Sequence, residues 1–151
     1  MAIARVQISE DKAEFVKALR GIDGETGPFQ TYADVVAFAA ILGMSCKIRV
    51  PLGKFSRKDP DAVLQDQFRN PVIIGLVAVA ATQDPKILLD DEDHDLQRVQ
   101  IFQEFANGGL EILQDKLRGA VDYSEQILLF LKAQRHQHSS GTEEFDLTKF
   151  L

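Results

Sequence analysis

Cysteine is almost missing from this chain: Cys46 is the only one in 151 residues. An internal disulfide is therefore excluded, and a reducing cytosol is the matching compartment. Long apolar runs are missing as well. No stretch reaches the ~18 residues a membrane span requires, and the longest candidate, Pro71 to Ala81, stops short and turns alanine-rich. Residues 1–20 carry charges throughout and lack the apolar centre of a signal peptide. The expectation is a soluble, cytoplasmic protein with no membrane partner. Catalytic templates are also wanting. Gly21, Gly24 and Gly27 are spaced for neither a dinucleotide loop nor a phosphate loop, and no Gly-Lys-Ser/Thr occurs. Cys46 has no nearby activating base and reads as a buried, inert side chain.

Metal-ligand patterns fail on inspection. In the acid run Asp90 to Asp95, Asp91, Asp93 and Asp95 match the first three ligands of a calcium loop. Leu96 then replaces the required Gly, and Phe102 stands where the bidentate Glu belongs. A negatively charged helix start is the better reading. His136-Gln-His138 has no acid or Cys following at ligand spacing. No catalytic residue, cofactor or metal is expected, and the protein is read as not an enzyme. A minor enzymatic alternative would be a metal-dependent nuclease using Asp91 and Asp93.

With 45% hydrophobic residues and ten Phe, the chain can build one core without staples, and a domain of this length buries roughly 70% of its unfolded surface. The segment Pro28 to Gly43 is the strongest structural signal. Thr31 is placed to cap, Asp34 lies in the first turn, and Gly43 supplies a stop. No polar side chain occurs from Val35 to Leu42, so every face of that helix is expected to be covered by protein.

Elsewhere, Ile3 to Ile8 alternates as a short strand, with Arg5 and Gln7 outward. Ser9 is an N-cap candidate for a helix with Phe15, Val16 and Leu19 on one face. Cys46 to Leu52 reads as either a second strand or an extended connection. Asp59-Pro60 predicts a helix over 60–69 with Val63, Leu64 and Phe68 inward. Asn70-Pro71 and the Ala-rich end favour helix over buried strand for 71–81. From Asp93 to Leu117 apolar residues recur at steps of three and four, with Gly108-Gly109 in the middle. Either that helix kinks or another backbone packs closely there. Asp122 caps a last helix with Ile127, Leu128, Phe130 and Leu131 apolar.

The fold class that results is mainly α: a single compact helical domain of about six helices over residues 1–136. Residues 137–151 form a polar linker and an apolar tail. Strand is admitted only before residue 55, and its order with the first helices resembles a ribbon-helix-helix start, which would make a homodimer by strand pairing.

Charge is divided unevenly. Residues 1–58 hold nine Lys/Arg against six Asp/Glu, whereas residues 59–151 hold eight against seventeen. Lys47, Arg49, Lys54, Arg57 and Lys58 form a cluster with no acid between them, suited to polyanions or simply to a solvated loop. Near the other end, Phe145, Leu147, Phe150 and Leu151 follow a polar stretch; they either pack back on the domain or fill a partner's groove.

Several segments together resemble the DNA phosphorothioation-associated protein 4 family, encoded beside bacterial DNA sulfur-modification (Dnd) genes. The carriers are Pro28 to Gly43, Arg49-Val-Pro-Leu52, Ala78 to Leu88, Phe102 to Leu113 and Glu144 to Leu151. The resemblance implies a context of sulfur-modified DNA, its enzymes, restriction and antiviral defence, and supplies no catalytic residues. The leading expectation is a non-enzymatic accessory protein that binds DNA, or a DNA-bound partner, through Arg5, Gln7, Lys47, Arg49, Lys54, Arg57 and Lys58. The alternative is a protein–protein adaptor that docks on Dnd modification or restriction enzymes through acidic helices and the tail residues Phe145, Leu147, Phe150 and Leu151.

Overall fold

The computed structural model describes residues 4–21, 27–120 and 122–142. It is mainly helical, and the described residues contain five α-helices and one two-stranded sheet. In chain order these are β1 (Val6–Gln7), α1 (Ala13–Arg20), α2 (Tyr32–Cys46), β2 (Ala62–Val63), α3 (Val72–Thr82), α4 (Glu92–Leu117) and α5 (Tyr123–Thr142). The chain divides into two compact units, Met1–Asp115 and Lys116–Leu151.

In the first unit, α2 starts as its sequence predicts. The Asp34 N–H donates to Thr31 Oγ1 at 3.1 Å, which satisfies one of the free donors of the first turn. The Asp34 carboxylate then accepts from Arg69 Nε and Nη2 at 2.9 and 3.0 Å. This fork ties the start of α2 to the chain entering α3. Along its length α2 packs between α1 and α3.

Gly43 does not stop the helix. It is buried inside α2, and the turn comes at Lys47, in the left-handed region at φ 58°. The reason is the neighbour. A Cβ on Gly43 would lie 2.1 Å from the Phe105 carbonyl oxygen, and one on Gly109 would lie 1.8 Å from that of Ala39. The two helices cross with backbone against backbone, a spacing only glycine permits. Of the two options for Gly108-Gly109, close packing is the one realised. α2 is not covered on every face, because Ile41 is 51% exposed. Its exit differs too: Cys46 is exposed at the end of the helix rather than buried.

The middle of α4 is buried on all sides: every residue from Ile101 to Leu110 is buried, the polar Gln103, Glu104 and Asn107 among them. Those three engage the chain laid across them. Gln103 Oε1 accepts from the Gln7 N–H at 2.9 Å, and Asn107 Nδ2 donates to the carbonyls of Val50 and Pro51 at 3.2 and 3.3 Å. Residues 48–52 are thus an extended connection, not a strand. Leu96, expected inside, is exposed at the entry to α4.

The 60–69 helix does not form. Pro60 follows a cis peptide bond, Ala62–Val63 is a strand, and Gln65–Gln67 is a single 3-10 turn. Val6 pairs with Val63 and Gln7 with Ala62, antiparallel. A ten-residue helix is marginal alone, whereas β1 would leave its buried backbone groups unpaired without this partner. Val63 and Phe68 are buried as expected, but Leu64 is exposed. Since β1 pairs within its own chain, it is not a ribbon-helix-helix strand awaiting a second copy. Segment 71–81 is helical, as α3, with the Ile73 N–H bonded to the Asn70 carbonyl at 3.1 Å.

Ser9 precedes a 3-10 turn, Glu10–Lys12, that leads into α1, and its hydroxyl does not cap it. It donates instead to the Leu52 carbonyl at 3.0 Å and bonds Asp11. The buried Lys12 ammonium meets Asp11 at 3.0 Å and Glu111 at 3.5 Å. At the start of α4, Asp91 Oδ1 accepts from the His94 N–H at 2.9 Å, so the acid run does begin a helix. Asp95 accepts from the Ala4 N–H and Gln65 Nε2, a structural use of the third candidate calcium ligand.

In the second unit, Gly119 at φ 77° follows α4, and Asp122 Oδ1 accepts from the Glu125 N–H at 3.2 Å to open α5. Helix continues to Thr142, past the polar segment from His136. Ile127 is buried, while Leu128 and Leu131 are exposed.

Two outcomes check this architecture. Gly43→Ala and Gly109→Ala each lower the urea-unfolding free energy by about 3 kcal/mol, although Ala gains up to about 1 kcal/mol in helix propensity; either variant matching the wild type would show that the crossing is not backbone-limited. Asp34 is the second case. The hydrogen bonds from Arg69 hold its carboxyl below the ordinary value of 3.8. Its contribution is therefore present above that value and lost as pH falls through the depressed one. Asp34→Asn flattens the acid limb of a stability–pH curve there and leaves the neutral region only slightly lower.

Candidate nucleic-acid interface

The extended run 48–52, held on α4, delivers the next residues to the surface beside β1. The Glu10 N–H donates to the Lys54 carbonyl at 2.9 Å, Ser9 bridges Phe55, and the Ser56 N–H donates to the Ile8 carbonyl at 2.7 Å. Ser56 is buried, and its hydroxyl donates to the Lys58 carbonyl at 2.8 Å. Residues 53–58 therefore form a ridge with a fixed backbone, from which Lys54, Phe55, Arg57 and Lys58 project into solvent. Phe55 is 49% exposed, which is unusual for an aromatic side chain on so well-anchored a segment.

Clefts flank the ridge. One, of about 840 Å³, has Lys54, Phe55, Arg57 and Lys58 on one wall and Glu10, Glu14 and Asp59 among its other residues. A second, of about 590 Å³, also reaches Phe55 and is lined by Arg5, Gln7 and Leu96. A third, of about 660 Å³, shares Glu14 and Asp59 with the first and adds Lys17 and Arg20 from α1. Arg20 lies 4.7 Å from the centre of the Tyr32 ring, and the Tyr32 hydroxyl bonds Asp59 at 3.3 Å.

The seven sequence-predicted residues are distributed as follows. Arg5, just before β1, and Gln7, in it, line the cleft that reaches Phe55, and Lys54, Arg57 and Lys58 lie on the ridge. Lys47 is at the exposed end of α2, outside the residues lining these clefts. Arg49 is committed elsewhere: it pairs with Glu104 at 2.7 Å and lies 5.7 Å from the centre of the Phe105 ring. Three contributors escape a reading by charge runs alone. Lys17 and Arg20 are an i,i+3 basic pair on the exposed side of α1, a signal that was available. Phe55 carries no such signal, since an aromatic in a basic segment is as readily core. The tail residues Phe145, Leu147, Phe150 and Leu151 lie outside the described residues.

Among the described residues no group of three or more His, Cys, Asp or Glu side chains is placed to hold a metal ion, and no helix is long and apolar enough to cross a membrane. The titration shifts found are local. The Ser9 hydroxyl, followed by Lys12, lowers Asp11, the His94 backbone N–H lowers Asp91, and Asp34 raises Arg69.

The family described as DNA sulphur modification system-associated protein 4 matches residues 5–150. The chain belongs to that family. No curated protein and no solved structure gives a match. Membership associates this DNA sulphur modification system-associated protein with such a system, and it extends the resemblance seen from Pro28 onward to nearly the whole chain.

The different situations of the cations give a stability test. Glu104 is only 9% exposed, so Arg49→Ala leaves a nearly buried carboxylate without its partner. Thermal or urea unfolding is expected to show a loss of about 1–3 kcal/mol. Lys47→Ala and Lys58→Ala, both at exposed positions, change it by no more than about 0.5 kcal/mol; equal effects from all three would contradict the assignment.

Proposed function

We propose that the protein is a non-enzymatic accessory factor of a DNA sulphur modification system and that it contacts DNA through the ridge 53–58. The observation that carries this reading is the arrangement around Phe55. An exposed ring on a hydrogen-bonded backbone has Lys54, Arg57 and Lys58 beside it and Arg5 with Gln7 across it. Cations on such a ridge neutralise phosphates, and the ring offers a face to a base or sugar. The family association supplies the DNA context. Arg49 serves here as a strut that seats the preceding residues on α4, and Lys47 stands apart. With Arg5, Lys54, Arg57 and Lys58 as the phosphate contacts, the logarithm of affinity falls with the logarithm of salt at a slope of about −3.6 on duplex DNA.

A second reading makes the protein an adaptor for the system's enzymes. Its support is the exposed Leu128, Leu129 and Leu131 on α5. The double variant Leu128→Glu, Leu131→Glu tests that surface and deletion of residues 143–151 tests the tail: loss of partner capture with DNA affinity intact, in either, favours the adaptor.

The DNA reading is tested by fluorescence anisotropy with short duplexes, plain and phosphorothioate-modified, across a salt series. The expected result is binding at low salt that weakens along that slope. The triple variant Lys54→Glu, Arg57→Glu, Lys58→Glu abolishes it, whereas Arg49→Ala leaves the slope unchanged. Absence of binding to either duplex at low salt, or unaltered binding by the triple variant, overturns the reading.

A further inference from the structure

Phe55 stands between two clefts whose linings differ in kind. The larger carries opposite charges on its walls, with Lys54, Arg57 and Lys58 against Glu10, Glu14 and Asp59, all exposed. Among the described residues none of these cations forms an ion pair with those acids, so both signs of charge remain available to a ligand. The other cleft is rich in amides, with Gln7, Gln100 and Gln103 among its residues. Gln103 Oε1 is taken by the Gln7 N–H, which leaves the amide nitrogen to donate. The main chain on either side of the ring is pinned, Lys54 through its carbonyl to the Glu10 N–H and Ser56 through its N–H to the Ile8 carbonyl. The ring is thus presented at a fixed place, and little ordering is lost when a flat group stacks on it.

Resting on the DNA reading of this ridge, we propose that its preferred ligand is a single strand, with one unpaired base stacked on Phe55, and not an intact duplex. Stacking needs a base whose face is free, and inside a duplex each face is covered by the next base pair. The acids argue for the same ligand. Phosphates of a single strand can follow the cationic wall while its base N–H groups donate to the carboxylates, and in a duplex pairing already uses most of those donors. A second strand would also bring its phosphates to the acidic wall, where like charges repel. Nor does the ridge supply an element for the major groove, which admits a helix or a two-stranded ribbon. Residues 53–58 include no helix, and each strand of the sheet beside them is two residues long.

Fluorescence anisotropy of the full chain at low salt, with a short single strand and with the same sequence as a duplex, is the test. The single strand is expected to bind at least about tenfold more tightly. Charge alone would not produce that preference, because a single strand releases fewer counterions per contact: four contacts give a salt slope of about −2.8, against about −3.6 for the duplex. Phe55→Ala weakens single-strand binding at least about fivefold and duplex binding less than about twofold. Glu10→Lys combined with Glu14→Lys raises duplex affinity more than single-strand affinity and so narrows the gap. The wild-type comparison needs no variant to fold. Equal or tighter binding of the duplex overturns the proposal and leaves the DNA reading standing. So does a Phe55→Ala loss that is the same for both ligands, or a gap that the two acid substitutions leave unchanged. Absence of binding to either form of DNA overturns both.

Discussion

The contact between α2 and α4 at Gly43 and Gly109, with Gly108 against the chain that leaves α2, is the constraint from which the rest of the first unit follows. With carbonyl oxygens lying where Cβ atoms would be, the two helices are closer than any larger residue at Gly43 or Gly109 would allow. This closeness buries the middle of α4 on every side, including the flank that a surface helix would give to water. Glycine costs helix propensity at each of these sites, roughly 1 kcal/mol apiece. The compensation is close main-chain contact and a core that excludes water from two apolar helices.

Burying a polar flank demands partners, and the chain leaving α2 provides most of them, although the buried Asn107 Oδ1 accepts no hydrogen bond from the described residues. Gly108 admits the Ile48 carbonyl, whose oxygen would lie 2.1 Å from a Cβ at that position. Asn107 then takes the carbonyls of Val50 and Pro51, Glu104 takes Arg49, and the Glu104 carbonyl takes the Val50 N–H at 3.0 Å. Residues 48–52 are thereby held extended, and the ridge after them begins from a fixed point. The basic cluster is divided by the same logic. Arg49 is absorbed into holding the segment, Lys47 stands exposed at the end of α2, and the last three, with Phe55, are presented to solvent.

How much of this the sequence discloses depends on the range of each interaction. Local chemistry is legible: the Thr31 and Asp122 caps, the Asp91 helix start, and α3 after Asn70-Pro71 are all settled within a few residues. The glycine pair in α4 also signals its two outcomes, because isolated helix energetics disfavour it. Pairing at long range is not legible in the same way. Asp59-Pro60 carries a strong local helix signal, yet Val63 is needed by Val6, more than fifty residues away, and the strand prevails. Gly43 reads as a stop because nothing in its neighbourhood reveals Phe105. Apolar patterning likewise says that Ile41, Leu76 and Leu96 favour burial, but not whether their partners lie in the same chain.

The balance of charge limits what the ridge can do in the proposed role. The protein carries a net charge of −6, and Glu10, Glu14 and Asp59 line the same cleft as Lys54, Arg57 and Lys58. At physiological salt the field of such a mixed patch is screened within about 8 Å. It cannot draw DNA from a distance, as a uniformly basic face does. Contact at short range is a different matter, because cations beside an aromatic ring act once phosphate and base are already adjacent. For the proposed role, this favours a protein brought to DNA by others of its system over one that searches for DNA unaided.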